Sequence, residues 1–160
     1  MITISLWMLS CLAGFVQIGP RAGDSGLNIL SSMNVRFLVI DPLGRRTGFD
    51  ATTGRDTTGI PLSSYGVQPI GEPEGRGAEE TRKFVASFGT GGALVEGPYD
   101  ILVFGDNEGE FWLSISVYRE PVSEDFNFKG TIRAGGVREY RLHFAEDLSV
   151  PIKIDTLGSK

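Results

Sequence analysis

Residues 98–118, PYDILVFGDNEGEFWLSISVY, contain the two clearest strand patterns of the chain. In the first half, Ile101 and Val103 lie on one face of the predicted strand, and the residues between and beside them lie on the other. In the second half the alternation is complete, with one face formed by Phe111, Leu113, Ile115 and Val117 and the other by Trp112, Ser114, Ser116 and Tyr118. A period of two places alternate side chains on opposite faces of a strand. Turn residues 106–109 separate the halves, so this stretch predicts a β-hairpin with one face that must be buried.

Strand-like runs continue on both sides of this hairpin. They occupy residues 27–30, 34–41, 45–50, 81–88, 93–95, 125–132, 138–144 and 151–156. A second hairpin is predicted between the runs at 125–132 and 138–144. The chain has 22 glycines and 8 prolines and lacks long helix-favouring runs. We therefore predict an all-β fold, an antiparallel β-sandwich of about eight or nine short strands, with jelly-roll and immunoglobulin-like topologies both open.

The N-terminal segment differs in composition from the rest. Residues 1–20 contain no charged side chain. The apolar run from Ile4 to Ile18 is about 15 residues long, shorter than the roughly 20 that a membrane-spanning helix needs. This pattern is typical of a secretory signal peptide, although no Lys or Arg stands near its start. We predict a signal peptide at 1–23, with a retained membrane anchor or a buried first strand of a cytosolic protein as alternatives.

The remaining residues, 24–160, have the length of a single domain. Export predicts a secreted, cell-surface or periplasmic location, with membrane contact only through the N-terminal segment if it is not cleaved. Residues 61–80 carry three prolines and four glycines without apolar periodicity. That composition predicts a long surface loop, and a loop of this length in a compact domain is usually functional or mobile.

Composition excludes several function classes. The net charge of −5 argues against nucleic acid, whose phosphates require a basic surface. The chain has one histidine, His143, which rules out a zinc site built from several histidines. Its one cysteine, Cys11, lies in the apolar leader, so the domain has no internal disulfide.

Four carboxylates stand in glycine-containing turns and are candidate calcium ligands: Asp41, Asp50, Asp106 and Glu108. Calcium takes six to eight oxygen ligands and accepts backbone carbonyls beside carboxylates. The alternative is structural. Asp41 would cap the turn before Pro42, Arg45 or Arg46 would pair with Asp50, and the other two acids would be solvated at a hairpin tip.

One strand face suggests a carbohydrate surface. Trp112, Ser114, Ser116 and Tyr118 share it, so two aromatic rings flank two hydroxyls. Aromatic rings supply apolar area for stacking, and hydroxyls fix the direction of a bound ligand. The alternative is that Trp112 lies beneath the 61–80 loop as part of the core.

Residues 97–144 follow a frame of G-x-Y, a strand, a turn, a second strand, a G-T step and a Y-x-L strand. The segments are Gly97–Val103, Gly109–Ile115, Phe128–Thr131 and Glu139–Leu142. This frame resembles accessory β-sandwich modules of secreted bacterial and archaeal proteins, of the pre-peptidase C-terminal type. Asp41–Asp50, DPLGRRTGFD, resembles a D-P-x-G-R-R-x-G-x-D segment of uncharacterised exported microbial proteins. The resemblance implies a fold and an exported location, and it brings no activity.

Three function classes follow. The first is a non-catalytic extracellular structural or binding module, stabilised by Ca²⁺ and contacting protein or polysaccharide at the cell surface. The second is a carbohydrate-binding module that uses the face of Trp112 and Tyr118. The third, a hydrolase with paired carboxylates, has the least support, because no catalytic motif accompanies the acids. We therefore predict that the protein is not an enzyme.

Overall fold

The computed structural model describes residues 25–70, 83–90 and 94–159. In these ranges the secondary structure consists of eleven strands: β1 Ser25–Ser31, β2 Val35–Ile40, β3 Arg46–Asp50, β4 Arg55–Thr58, β5 Ser63–Ile70, β6 Lys83–Thr90, β7 Gly97–Gly105, β8 Gly109–Arg119, β9 Val122–Ile132, β10 Val137–Phe144 and β11 Lys153–Ser159. None of the described residues belongs to a helix long and apolar enough to cross a bilayer.

The strands form two sheets that pack face to face. One sheet has five strands in the order β5-β6-β1-β8-β9, and the other has six in the order β11-β10-β7-β2-β3-β4. All neighbouring strands are antiparallel. The prediction of an all-β antiparallel sandwich is confirmed, with eleven strands rather than eight or nine.

The core lies between the inner faces that the alternation identifies. β7 contributes Tyr99, Ile101 and Val103 from one sheet, and β8 contributes Phe111, Leu113, Ile115 and Val117 from the other. Each of these side chains is at most 3% exposed. Burying one large apolar side chain contributes roughly 1.5–3 kcal/mol, so this double row is a main source of stability.

The two predicted hairpins are wrong, although their strands are real. β7 and β8 belong to different sheets, and so do β9 and β10. The connection 106–108 crosses from one sheet to the other because the carbonyl of Asn34 accepts hydrogen bonds from the backbone N–H groups of Asp106 and Asn107. Alternation shows which face of a strand is buried, but it does not identify the neighbouring strand.

The hairpin that does involve β8 joins it to β9. The two strands pair without a register shift from Gly109 opposite Ile132 to Arg119 opposite Val122. Glu120 and Pro121 connect them through a cis peptide bond.

Two further expectations differ from the structure. Part of the expected 61–80 loop is a strand, because Ser63–Ile70 pair with β6 over their full length. Leu94 and Val95 lie outside the strands. The predicted signal peptide at 1–23 and the rest of the expected loop, 71–80, lie outside the described residues.

A buried arginine closes one end of the sandwich. Arg119 is the last residue of β8 and is 5% exposed. Its Nη1 atom donates to the carbonyl oxygens of Ala145, Asp147 and Val150, each at 3.0 Å. Its Nη2 atom donates to the Glu124 carboxylate at 2.6 Å. The guanidinium thus holds the segment between β10 and β11 against the end of the core.

Candidate functional site

The strand β8 presents its second row of side chains on the outer face of the five-stranded sheet. Trp112, Ser114, Ser116 and Tyr118 are all half-buried, while the residues between them are buried in the core. Trp112 and Tyr118 are six residues apart, which in a strand is roughly 20 Å. The row that contains Trp112 is therefore distinct from the buried row of β8, as the alternation predicts. The alternative, that Trp112 lies beneath the 61–80 loop, involves residues 71–80, which lie outside the described residues. We call this surface, with its neighbours on β1 and β9, the Trp112–Tyr118 face.

The register places polar side chains on both sides of the β8 row. Ser116 lies between Asn28 of β1 and Asp125 of β9. Ser114 lies between Leu30 of β1 and Asn127 of β9. Cβ atoms directly opposite each other on neighbouring strands are about 4.5–5.5 Å apart, so these groups form one continuous patch.

The ends of the patch carry the aromatic rings. Trp112 is opposite Lys129, and Tyr118 lies between Gly26 and Ser123. Gly26 has no side chain to cover the tyrosine ring. The result is a flat strip with a ring at each end and hydroxyl, amide and carboxylate groups between.

The side chains of this patch are free in the part of the chain that the structure describes. No hydrogen bond, ion pair or ring contact involves the side chains of Asn28, Trp112, Ser114, Ser116, Tyr118, Asp125, Asn127 or Lys129. The backbone N–H of Trp112 does bond to Ser32, at 3.3 Å, but the indole does not take part. These donors and acceptors are available to a ligand.

The tyrosines between the sheets differ from Tyr118. Tyr65, Tyr99 and Tyr140 all face the core. Burial raises the pKa of Tyr65 to about 12, and burial likewise raises the pKa of Tyr99 and of Tyr140. The hydroxyl of Tyr99 already accepts a hydrogen bond from the backbone N–H of Val95 at 2.9 Å. These three tyrosines pack in or against the hydrophobic core.

Asp41, the first candidate calcium ligand, is fully occupied by protein donors. Its side chain is completely buried. One carboxylate oxygen accepts the backbone N–H groups of Leu43 and Arg45, at 3.0 and 2.8 Å, and the other accepts Nε of Arg45 at 2.6 Å. This is the turn-capping role that the sequence offers as the alternative.

The other three carboxylates lie apart or are paired. Asp50 accepts the backbone N–H of Thr52 at 2.9 Å, and Arg46 is 4.0 Å from it. Asp106 accepts Nε of Arg36 at 2.8 Å, and Glu108 is exposed. Among the described residues, no three His, Cys, Asp or Glu side chains form a group that could hold a metal ion. Calcium binding stays a prediction, without support from this geometry.

Elsewhere, described residues line at least two clefts. The larger, of about 570 Å³, lies between the β8–β9 pair and β10, with Glu108, Glu110, Arg133 and Arg138 on its rim. Arg138 already donates to the carbonyl of Thr131 at 3.0 Å. The lining contains no Ser, Cys or His side chain.

The smaller cleft, of about 190 Å³, is lined by residues that include Arg45, Thr90 and Tyr99. Its polar groups are committed elsewhere. Arg45 pairs with Asp41, Thr90 accepts the backbone N–H of Leu27, and Tyr99 accepts that of Val95.

Sequence reasoning found the β8 row but missed the neighbours that complete the patch. Asp125, Asn127 and Lys129 are exposed on β9, and Asn28 is exposed on β1. The polar alternation in residues 123–131 was the available signal for β9. Nothing in the sequence indicates that Asn28 lies beside Ser116, because that neighbourhood depends on the strand order.

Comparison with protein-family models, with curated proteins and with solved structures found no match for this chain. The resemblance to pre-peptidase C-terminal modules therefore stays an expectation.

Proposed function

We propose that this protein is a non-catalytic extracellular binding module that holds a carbohydrate chain on the Trp112–Tyr118 face. The observation that carries the proposal is the pair of half-buried rings on one strand, with unbonded polar side chains between them. Sugar rings present apolar C–H faces and equatorial hydroxyls, which match an aromatic platform beside amides, hydroxyls and carboxylates.

The shape of the face favours an extended ligand. The rings are roughly 20 Å apart along β8, which exceeds the reach of a single sugar ring. The net charge of −5 disfavours acidic polysaccharides, so the ligand class is a neutral glycan.

Affinity electrophoresis of the full chain against a neutral β-glucan, a neutral α-glucan and an acidic polysaccharide tests the proposal. Retardation is expected with a neutral glycan, and titration calorimetry with an oligosaccharide of that glycan gives the affinity. Trp112→Ala and Tyr118→Ala are each expected to weaken binding by about tenfold or more, since aromatic anchors dominate such surfaces.

The matched control is Leu157→Ala, which removes an exposed apolar side chain from the other sheet. It is expected to bind as the unaltered chain does. Equal binding by Trp112→Ala would contradict the site, and absence of retardation by all three polysaccharides would contradict the ligand class. Thermal unfolding with Ca²⁺ and with chelator tests the separate calcium prediction.

A further inference from the structure

The strand β9 is a long, regular edge of the five-stranded sheet. It pairs with β8 on one side over eleven residue pairs, and no described strand pairs with its other side. An edge strand exposes a row of N–H and C=O groups that can pair with another chain. The other edges are less open: β4 has four residues, β5 contacts β3 and β4, and the pairing of β11 is interrupted by a bulge.

Two hydrogen bonds show which backbone groups face this open edge. The carbonyl of Trp112 accepts the N–H of Ser32, so its backbone points toward β1. Lys129 is opposite Trp112, and this is therefore a non-hydrogen-bonded pair of the β8–β9 ladder. Backbone N–H and C=O groups of successive strand residues point in opposite directions. Those of residues 123, 125, 127, 129 and 131 therefore point away from β8, toward the open edge. Consistently, the carbonyl of Thr131 accepts a bond from Arg138 rather than from β8.

The sequence of β9, VSEDFNFKGTI, is chemically symmetric about Asn127. Stepping outward from that residue, the matched positions are Phe126 with Phe128, Asp125 with Lys129, Ser123 with Thr131, and Val122 with Ile132. The one unmatched step is Glu124 with Gly130, and Glu124 already accepts a hydrogen bond from Arg119 of its own chain. In an antiparallel self-pairing centred on Asn127, each aromatic side chain would lie opposite an aromatic one, each hydroxyl opposite a hydroxyl, and each aliphatic side chain opposite an aliphatic one. Asp125 would lie opposite the basic Lys129.

We propose that β9 pairs with β9 of a second copy of this chain, around a twofold axis at Asn127. Asn127 is one of the residues whose backbone faces the open edge, as the central pair of such a ladder requires. Each Asp125 would then lie opposite Lys129 of the other copy, on the exposed side of the sheet. The same surface serves both copies, which is the condition for a closed dimer.

The twofold axis is perpendicular to the sheet, so both outer faces point the same way. Two five-stranded sheets would become one ten-stranded sheet that carries two Trp112–Tyr118 faces. The dimer does not rest on the proposed carbohydrate function, because the edge pairing uses backbone groups and β9 side chains alone.

Variants with reversed charges at Asp125 and Lys129 test the register of the proposed β9–β9 pairing. Sedimentation of the full chain over a concentration series is expected to show a monomer–dimer equilibrium. Lys129→Asp and Asp125→Lys each place like charges opposite each other twice, so each should weaken the dimer by about tenfold. The double variant Asp125→Lys with Lys129→Asp restores both ion pairs in this register alone, and should recover the original dissociation constant. Both side chains are exposed, and circular dichroism verifies the fold.

A cysteine placed on the axis gives an independent test. In a Cys11→Ser background, Asn127→Cys would bring two Cα atoms to about 5.5 Å, within disulfide range. Ser123→Cys is the control, because its two copies would be roughly 27 Å apart. Rapid crosslinking at 127 and none at 123 is expected. A monomer at all concentrations, a dimer indifferent to Lys129→Asp, or equal crosslinking at both positions would overturn the proposal.

Discussion

The two outer faces of the sandwich treat their polar groups in opposite ways. On the six-stranded sheet several polar side chains are paired: Arg141 with Asp100 at 2.6 Å, Arg36 with Asp106, and the His143 ring with the Asp155 carboxylate at 2.9 Å. The guanidinium of Arg36 also lies 3.4 Å above the ring of Phe49. These side chains on the outer face of the six-stranded sheet therefore have partners within the protein.

The Trp112–Tyr118 face has comparable side chains and leaves them free within the described part of the chain. A donor or acceptor that is already paired inside the protein must lose that partner before it can bind a ligand. The unpaired groups beside the half-buried rings have no internal partner to lose. Under the proposed function, the difference assigns stability to one face and ligand binding to the other. It predicts that substitutions on the two faces will affect different measurements.

The largest effect on stability is expected at Arg119, whose guanidinium is buried while its partner Glu124 is partly exposed. Arg119→Met would leave three carbonyl oxygens and the Glu124 carboxylate without their donor. Removing one partner of a fully buried pair costs about 3–5 kcal/mol, and the partial exposure of Glu124 places the expected loss at the lower end, about 3 kcal/mol. Urea unfolding followed by circular dichroism measures the loss.

The matched control is Arg141→Met, whose ion pair with Asp100 is partly exposed. That change is expected to cost under about 1 kcal/mol. Equal losses for the two variants would show that burial does not distinguish these arginines.

A smaller loss is expected on the paired outer face. Arg36→Ala removes the ion pair with Asp106 and the contact with the Phe49 ring. Together these contribute about 1–2 kcal/mol. Arg55→Ala, on the exposed strand β4, is the control and should change the free energy of unfolding by under about 0.5 kcal/mol. If Arg36→Ala changes the free energy of unfolding no more than the control does, the contacts of Arg36 do not contribute to stability.

Much of this comparison could be predicted from the sequence, because it depends on local alternation. The complete period of two in β8 assigns Leu113 to the core and Trp112 to the outside without knowledge of any partner strand. The same holds for β7. Burial of one face is a property of a single strand, and the pattern records it directly.

Strand partners could not be predicted in the same way. The turn at 106–109 has hairpin chemistry, but it joins two sheets because Asn34, more than seventy residues earlier, binds its backbone. β5 shows no alternation, and its Pro69 and Gly66 resemble loop residues. The Trp112–Tyr118 face combines β1, β8 and β9, so its composition depends on these same long-range pairings.

The contrast between inner and outer surfaces also predicts a pH dependence. Tyr65 lies between the sheets with its ring edge-on to Phe37, and burial raises its pKa to about 12. In the unfolded chain a tyrosine ionises near pH 10. Tyr65 therefore holds its proton more tightly in the folded state. The stability that this difference contributes is fully present below about pH 10 and is lost as the pH rises toward about 12.

Tyr65→Phe removes the ionisable group and should make this alkaline loss shallower. Urea unfolding at several pH values measures the slope for both proteins. Part of the alkaline loss of stability should remain in this variant, because burial also raises the pKa of Tyr99 and of Tyr140. Below about pH 9 the two curves should run parallel, and a divergence there would exclude tyrosine ionisation as the cause.

The smallest effect on stability is expected on the free face, at Asn28. Its side chain is exposed and makes no hydrogen bond to the described residues, so Asn28→Ala should change the free energy of unfolding by under about 0.5 kcal/mol. Glycan affinity should nevertheless fall by about threefold to tenfold, the value of one hydrogen bond. A variant that loses stability but keeps its affinity would reverse the assignment, because Asn28 would then support the fold and the ligand would lie elsewhere.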